Sequence, residues 1–299
     1  MTDPKIIDGK ATSLQILAEL AEEVRSFSRE FRPPHLAVIL VGEDPASQVY
    51  VRGKMRSAEK TGIESTQITL PAETSEETVL EKVESLNGDD GVDGVLVQLP
   101  LPGHIDQQRV IECISPSKDV DGFHPYNLGR LAADKPVFVP CTPFGIRELL
   151  TRYEVSTEGK HVVVIGRSII VGKPMALLLT RKGGSGNATV TICHSRTSDL
   201  ERISARADIL VAAIGKAEFV KGEMIKEGAV VIDVGVNRVD DPGSKKGYRL
   251  VGDVDFQAAY ERASLITPVP GGVGPMTRAM LMKNTLLAAK RARGDIDGS

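Results

Sequence analysis

The spacing of apolar residues changes period repeatedly along this chain, from helical to strand-like and back. Leu14, Leu17, Leu20, Ala21 and Val24 share one stripe and predict a helix over Thr12–Phe31. The unbroken apolar run HLAVILVG (35–42) reads as a strand buried on both faces. Ser47 is placed to cap a helix running to Lys60, with Gly62 ending it. QITL (67–70) is another strand, and SEETVLEKVESLNG (75–88) a helix that opens on a serine and stops at a glycine. DGVLVQLPLPG (93–103) is a strand halted by two prolines. SPSKDVDGFHPYNLGRL (115–131) reads as a loop too long for an ordinary connection, which marks it as functional. A helix over Pro143–Tyr153 then leads into a second series, with strands in GKHVVVIG (159–166), ATVTICHS (188–195), ADILVAAIG (207–215), GAVVIDVG (228–235) and SLITPV (264–269). Strand–helix alternation of this kind predicts the α/β class: two α/β domains, the second a Rossmann-type parallel sheet. The tail RARGDIDGS (291–299) is expected to fray.

Composition narrows the classes of function. Hydrophobic residues make up 41% of the 299 and charged ones 26%, which suits packed globular domains rather than disorder. The formal charge is −3, and no basic stripe points to nucleic acid. No apolar run approaches the ~18 residues of a membrane span. MTDPKIIDGK, at the N-terminus, has no signal-type apolar core, so the expected place is the cytoplasm. Cys113, Cys141 and Cys193 are far apart and read as free thiols; the five histidines lack ligand spacing, so no metal site is expected.

The second series carries a nucleotide signal. HVVVIGRSIIVGKPMALLL (161–179) is strand, loop and helix, with Pro174 in the first helical turn. Such a loop turns backbone N–H groups toward a phosphate. Its glycines, Gly166 and Gly172, fit neither G-x-G-x-x-G nor a P-loop, so the loop alone is a weak signal. The glycines that end AAIG and DVG strengthen it, since they fall where a chain passes a cofactor at the sheet's carboxyl edge. An NAD enzyme would close its second strand on an acidic residue; here the strand closes on His194-Ser195-Arg196. A hydroxyl with the Arg167 guanidinium suits a 2′-phosphate, which favours NADP, although Arg167 and Arg196 also read as ordinary solvated charges. The expected cofactor contacts are Gly166, Arg167, Ser168, Gly172, Ser195, Gly215, Gly235 and Val236.

In the first series, Tyr50, Lys54 and Ser57 share one helical face, and Val51, Met55 and Ala58 form the apolar stripe beside it. A lone lysine at that border is more often a snorkelling side chain than a reactive amine. The wider pattern changes the balance. YVRGK (50–54), VLVQLPLP (95–102), KDVDGF (118–123), PCTPFG (140–145), GRSIIVGKP (166–174), GDVDF (252–256) and TPVPGGVGPMT (267–277) occur in this order. Over about residues 5 to 290 the chain thereby closely resembles the bifunctional methylenetetrahydrofolate dehydrogenase/methenyltetrahydrofolate cyclohydrolase family, without departure at these motifs.

The resemblance implies two domains with a cleft between them, residues 1–141 plus 276–299 for folate and 142–275 for NADP, the last helix (about 276–293) returning to the first domain. It implies that Tyr50 stacks on folate, Lys54 is the catalytic amine, Gln98 supports it, and Asp121 anchors the pterin. It further implies that Pro270, Gly271 and Gly272 shape the site, and that the chain forms a homodimer. The side-chain chemistry agrees: tyrosine offers a flat face, and a carboxylate accepts paired hydrogen bonds from an amino-pyrimidinone edge. Gln98 and Asp121 also fit roles confined to loop and turn structure. The implied reactions are hydride transfer from 5,10-methylenetetrahydrofolate to NADP⁺ and hydrolysis of the resulting methenyl cation to 10-formyltetrahydrofolate. Only the second needs an amine to move protons. An amine with an ordinary pKa near ~10.4 does that at neutral pH only where burial or a neighbouring cation favours its neutral form. Two other readings stay open on the residues alone: an NADP dehydrogenase of another substrate, which gives Tyr50 and PGGVGPMT no purpose, and a non-catalytic nucleotide sensor, against which Tyr50, Lys54, Gln98 and Asp121 stand.

Overall fold

The computed structural model describes residues 3–244 and 247–295, so the last four residues of the tail expected to fray lie outside it. The chain divides into two compact units. The first comprises Leu14–Cys141 and the chain from Arg278 onward; the second comprises the chain up to Ser13 and Thr142–Thr277.

Helix α1 spans Gly9–Phe27. It starts before the predicted Thr12 because Asp8 accepts a hydrogen bond from the Ala11 N–H at 2.8 Å. It stops at Phe27, on which Phe31 folds back and stacks at 4.9 Å between ring centroids. Strand β1 (His35–Val41) leads to α2 (Pro45–Thr61). The cap of α2 is Asp44 rather than Ser47: its carboxylate accepts from the Ser47 N–H at 2.7 Å, and Pro45 pre-sets the first turn. Gly62 closes α2 in the left-handed region, as expected. Next come β2 (Glu64–Leu70), α3 (Glu76–Asn87), capped by Ser75, and β3 (Gly94–Val97). These strands form a parallel sheet in the order β2-β1-β3. Leu36 to Ile39 of β1 are fully buried, as its apolar run predicts.

Two short helices were not legible: α4 (Gln107–Cys113), capped by Asp106, and α5 (Pro125–Ala132), capped by the His124 ring. The stretch 115–131 is therefore loop only up to His124. Within it Asp119 bridges Val95 in parallel, which extends the sheet beside β3.

In the second unit, α6 (Cys141–Arg152) precedes β4 (His161–Ile165), α7 (Gly172–Thr180), β5 (Thr189–Cys193), α8 (Leu200–Ser204), β6 (Ile209–Ala212) and β7 (Val230–Asp233). An antiparallel pair follows, β8 (Asn237–Asp240) and β9 (Tyr248–Val251), then α9 (Phe256–Arg262), β10 (Leu265–Ile266) and α10 (Val273–Ala292). The main sheet is parallel throughout, ordered β10-β7-β6-β4-β5. Helix α10 enters the first unit at Arg278. Among the described residues no helix is long and apolar enough to cross a membrane, and no His/Cys/Asp/Glu group is arranged to hold a metal.

Candidate active site

In the first unit β1 and β3 end at one edge of the sheet, and the chain leaves that edge at the positions of interest. Val51 and Ala58 face the core, which turns Lys54 inward beside them. Lys54 is 8% exposed, well short of a snorkelling surface amine, and its Nζ donates to Gln98 Oε1 at 3.0 Å. Gln98 is held at both ends of its own residue. Its backbone N–H donates to Ile39 O at 2.8 Å, and its Nε2 donates to Leu99 O at 2.6 Å. With the amide nitrogen so engaged, the oxygen is the end left to meet an ammonium. Tyr50, one turn earlier, keeps 48% of its surface open, so its ring face is free to stack.

The two aspartates of DVDG have different surroundings. Asp119 is buried and accepts from the Asn127 amide at 2.8 Å and from the N–H groups of His124 (2.8 Å) and Phe123 (3.3 Å). Burial raises its pKa above the usual carboxylate range, and it is engaged in holding the loop. Asp121 is half-buried in the turn that follows the Val95–Asp119 bridge, and it and Lys54 both act electrostatically on the Cys141 thiol. The tight turn after it needs Gly122, which has φ +76° and would put a Cβ 2.8 Å from Pro140 N. Cys141 is enclosed behind this turn. Burial first, and then the Asp121 carboxylate, push its thiol well above its ordinary pKa, so it is an inert packing group. Asn284, from α10, donates to Val120 O at 2.8 Å and to Val139 O at 3.0 Å, which ties the turn at Asp121 to the segment packed on it.

In the second unit the expected cofactor residues gather at one edge. Ile165 pairs with Cys193 and with Ala212, and Ala212 with Asp233, so the chains after β4, β5, β6 and β7 leave side by side. Gly166 (φ +135°) and Gly172 permit a backbone cradle: a Cβ on Gly166 would collide with Ala213 O, and one on Gly172 with Gly166 O. Ser168 Oγ accepts from the Val171 N–H at 3.1 Å and closes the loop from within. Arg167 and Ser195 are exposed at the ends of adjacent strands, as is Arg196. These features fit a dinucleotide phosphate and a 2′-phosphate beside it.

Pro270, Gly271 and Gly272 also lie in this unit, where Gly271 O accepts from the Lys10 N–H at 2.8 Å and the Gly272 N–H donates to Pro268 O at 2.8 Å. They are thus packed on the start of α1.

Sequence reasoning missed the pair that holds the cofactor edge together. Asp253, with no exposed surface, accepts at Oδ2 from the Ile214 and Gly215 N–H groups (2.7 and 2.8 Å). Its Oδ1 takes the Lys216 N–H and the Asn237 amide, both at 2.9 Å. Asp233 accepts from the N–H groups of Gly235 (3.0 Å), Asp253 (2.9 Å) and Val254 (3.0 Å). Burial raises Asp233 to a pKa of about 7. The motif GDVDF carried the signal, but nothing in its spacing says that its first carboxylate reaches back to the loop after β6.

Known proteins match over nearly the whole chain. The family model described as tetrahydrofolate dehydrogenase/cyclohydrolase, catalytic domain, matches residues 7–121, and the one described as tetrahydrofolate dehydrogenase/cyclohydrolase, NAD(P)-binding domain, matches residues 140–293. The bifunctional protein FolD of Chloroherpeton thalassium is 57% identical over 94% of this chain and 97% of its own. FolD of Flavobacterium johnsoniae is 54% identical over 96% and 97%. Among solved structures, the Trypanosoma brucei N5,N10-methylenetetrahydrofolate dehydrogenase-cyclohydrolase, complexed with NADP cofactor and inhibitor, is 44% identical and superposes with a TM-score of 0.92 over 98% of this chain and 99% of that one.

Proposed function

The chain belongs to the tetrahydrofolate dehydrogenase/cyclohydrolase family, and from that premise we propose which of its residues carry the two reactions. It oxidises 5,10-methylenetetrahydrofolate to 5,10-methenyltetrahydrofolate with NADP⁺, and hydrolyses that product to 10-formyltetrahydrofolate. The observation that carries the residue assignment is the buried Lys54–Gln98 pair, with Lys54 and Asp121 both acting on the Cys141 thiol. Asp121 accepts hydrogen bonds from the amino-pyrimidinone edge of the pterin, and Tyr50 stacks on the ring system beyond it. That grip fixes the one-carbon bridge near the lysine. NADP⁺ accepts the hydride when bound, with Gly166, Arg167, Ser168, Gly172, Ser195, Gly215, Gly235 and Val236 as its contacts. The first reaction asks the protein for alignment alone.

In the second reaction water attacks the methenyl carbon, and protons must leave the attacking water and reach the departing ring nitrogen. Lys54 is the group within reach that can hold and release one, and Gln98 Oε1 fixes the direction of its Nζ. Pro270, Gly271 and Gly272 shape the substrate's surroundings. By function the chain divides into 1–141 plus 276–299 for folate and 142–275 for NADP. A homodimer is the expected assembly, supported by β5 lying at the sheet margin with Ile192 40% exposed. The free thiols Cys113, Cys141 and Cys193 support a cytoplasmic place.

The test is Lys54→Gln with both activities measured. Cyclohydrolase activity should fall by about 10²–10⁴-fold, the range of one acid–base group, with hydride transfer much less affected. Equal losses in the two would make Lys54 a positioning group and overturn the assignment.

A further inference from the structure

Gly53, the fourth residue of YVRGK, sits in the middle of α2, where glycine weakens a helix. The reason lies on α10. A Cβ on Gly53 would stand 2.6 Å from a terminal guanidinium nitrogen of Arg278, 3.3 Å from its Cδ and 3.6 Å from its Cζ. The Arg278 side chain therefore lies flat against α2, at the residue that precedes Lys54 and one turn from Tyr50. It is half-buried, and among the described residues it has neither a hydrogen bond nor an ion pair. Arg293, just past the end of the same helix, is the contrast: its guanidinium meets Asp93 at 2.8 Å. An unpaired guanidinium held in place against a helix presents a planar fork of donors suited to a carboxylate.

We propose that Arg278 binds a carboxylate of the substrate's glutamate tail, and that Gly53 lacks a side chain so that the guanidinium can lie there. The proposal rests on the reading that Tyr50, Lys54 and Asp121 hold folate. On that reading the ligand's polar, uncharged pterin end belongs to Asp121, and its p-aminobenzoyl ring to the open face of Tyr50. The anionic end then continues past Tyr50, on the helix face where Arg278 waits. This makes Arg278 a specificity group: it adds nothing for a substrate that ends at the benzoyl ring.

The experiment compares 5,10-methylenetetrahydrofolate with 5,10-methylenetetrahydropteroate, which lacks the glutamate, on wild type, Arg278→Ala, Arg278→Lys and Gly53→Ala. Arg278→Ala should raise KM for the glutamate-bearing substrate by about tenfold with kcat retained, the worth of one charge-assisted contact at a half-exposed site. The loss should be confined to that substrate, with KM for NADP⁺ and for the pteroate compound as in wild type. Arg278→Lys should recover part of it. Gly53→Ala should displace the guanidinium and reproduce a smaller loss without lowering the melting temperature, and the two alanine changes together should cost less than their sum. Equal losses on both substrates, or none on either, would overturn the proposal while leaving the folate reading intact. A wild-type chain that oxidises neither substrate would overturn the folate reading, and this proposal with it.

Discussion

Replacing Asp253 by asparagine keeps the volume of the side chain and removes half of its accepting capacity. Oδ2 receives the Ile214 and Gly215 N–H groups; Oδ1 receives the Lys216 N–H and the Asn237 amide. With its NH₂ on the Oδ1 side, the new amide can donate to a flipped Asn237 amide, and the Lys216 N–H is left unpaired. One buried donor left unpaired costs about 1–3 kcal/mol. That is a sizeable part of the ~5–15 kcal/mol that holds a typical protein folded. The melting transition of the second unit should drop by roughly 2–12 °C. The freed loops carry Gly215, Gly235 and Val236, so NADP⁺ affinity should fall at least tenfold, while binding of a folate ligand to the first unit should persist. Calorimetry reads both: a thermal scan for stability, then titration with each ligand well below the variant's first transition. An unchanged melting temperature together with wild-type NADP⁺ affinity would refute the reasoning, because it would mean the Lys216 N–H finds another partner at no cost.

Other expectations follow from the same geometry. Asp121→Ala should weaken folate binding by roughly 1.5–3 kcal/mol and leave NADP⁺ binding near wild type; titration with each ligand alone decides, and unchanged folate affinity reassigns Asp121 to the turn. Arg167→Ala should lower kcat/KM for NADP⁺ by about tenfold and leave NAD⁺ use little changed, with equal loss of both cofactors counting against a 2′-phosphate contact. Asp233 supplies a pH dependence. Its folded pKa, about 7, lies above the ordinary 3.8, so the native chain holds a proton there that the unfolded chain has released. The stability from this group is present in full below about 3.8 and is lost as pH rises through about 7. Between pH 5 and 8 wild type should lose stability relative to Asp233→Asn, at no more than about 1.4 kcal/mol per pH unit; a gap in melting temperature that stays constant over that range speaks against it.

Where the chain's periodicity was long and unmixed, the sequence was enough. The strand at 35–42 and the helix at 75–88 fall within a residue of their expected ends. Local chemistry with several competing candidates was harder. Two residues before Ser47 there is a proline, and the cap moved to Asp44 in front of it. The stretch 115–131 hid an eight-residue helix because its start is capped by a histidine ring, an unusual cap. In the candidate site, Lys54, Gln98 and Asp121 were legible as members of motifs, and the first two meet in a 3.0 Å hydrogen bond. Asp233, Asp253, Asn284 and Arg278 were not, because each acts on backbone or side chains far away in sequence. A spacing rule sees only neighbours. It cannot see that residue 253 feeds the loop at 214, or that the gap above Gly53 is filled from residue 278.

The reach of Asn284 bears on how the protein is made. Its amide spans 164 residues to Val120 and 145 to Val139. On a ribosome, the sheet β2-β1-β3 and the DVDG turn emerge early and then wait while the whole of Thr142–Thr277 is synthesised before their last helix arrives. Domains generally fold as units during synthesis, at about 5–20 residues per second, so the second unit can finish first. The backbone around Asp121 is locked only once α10 has followed the second unit. A nascent chain halted before α10 would therefore be able to complete its second unit and still lack an ordered turn at Asp121.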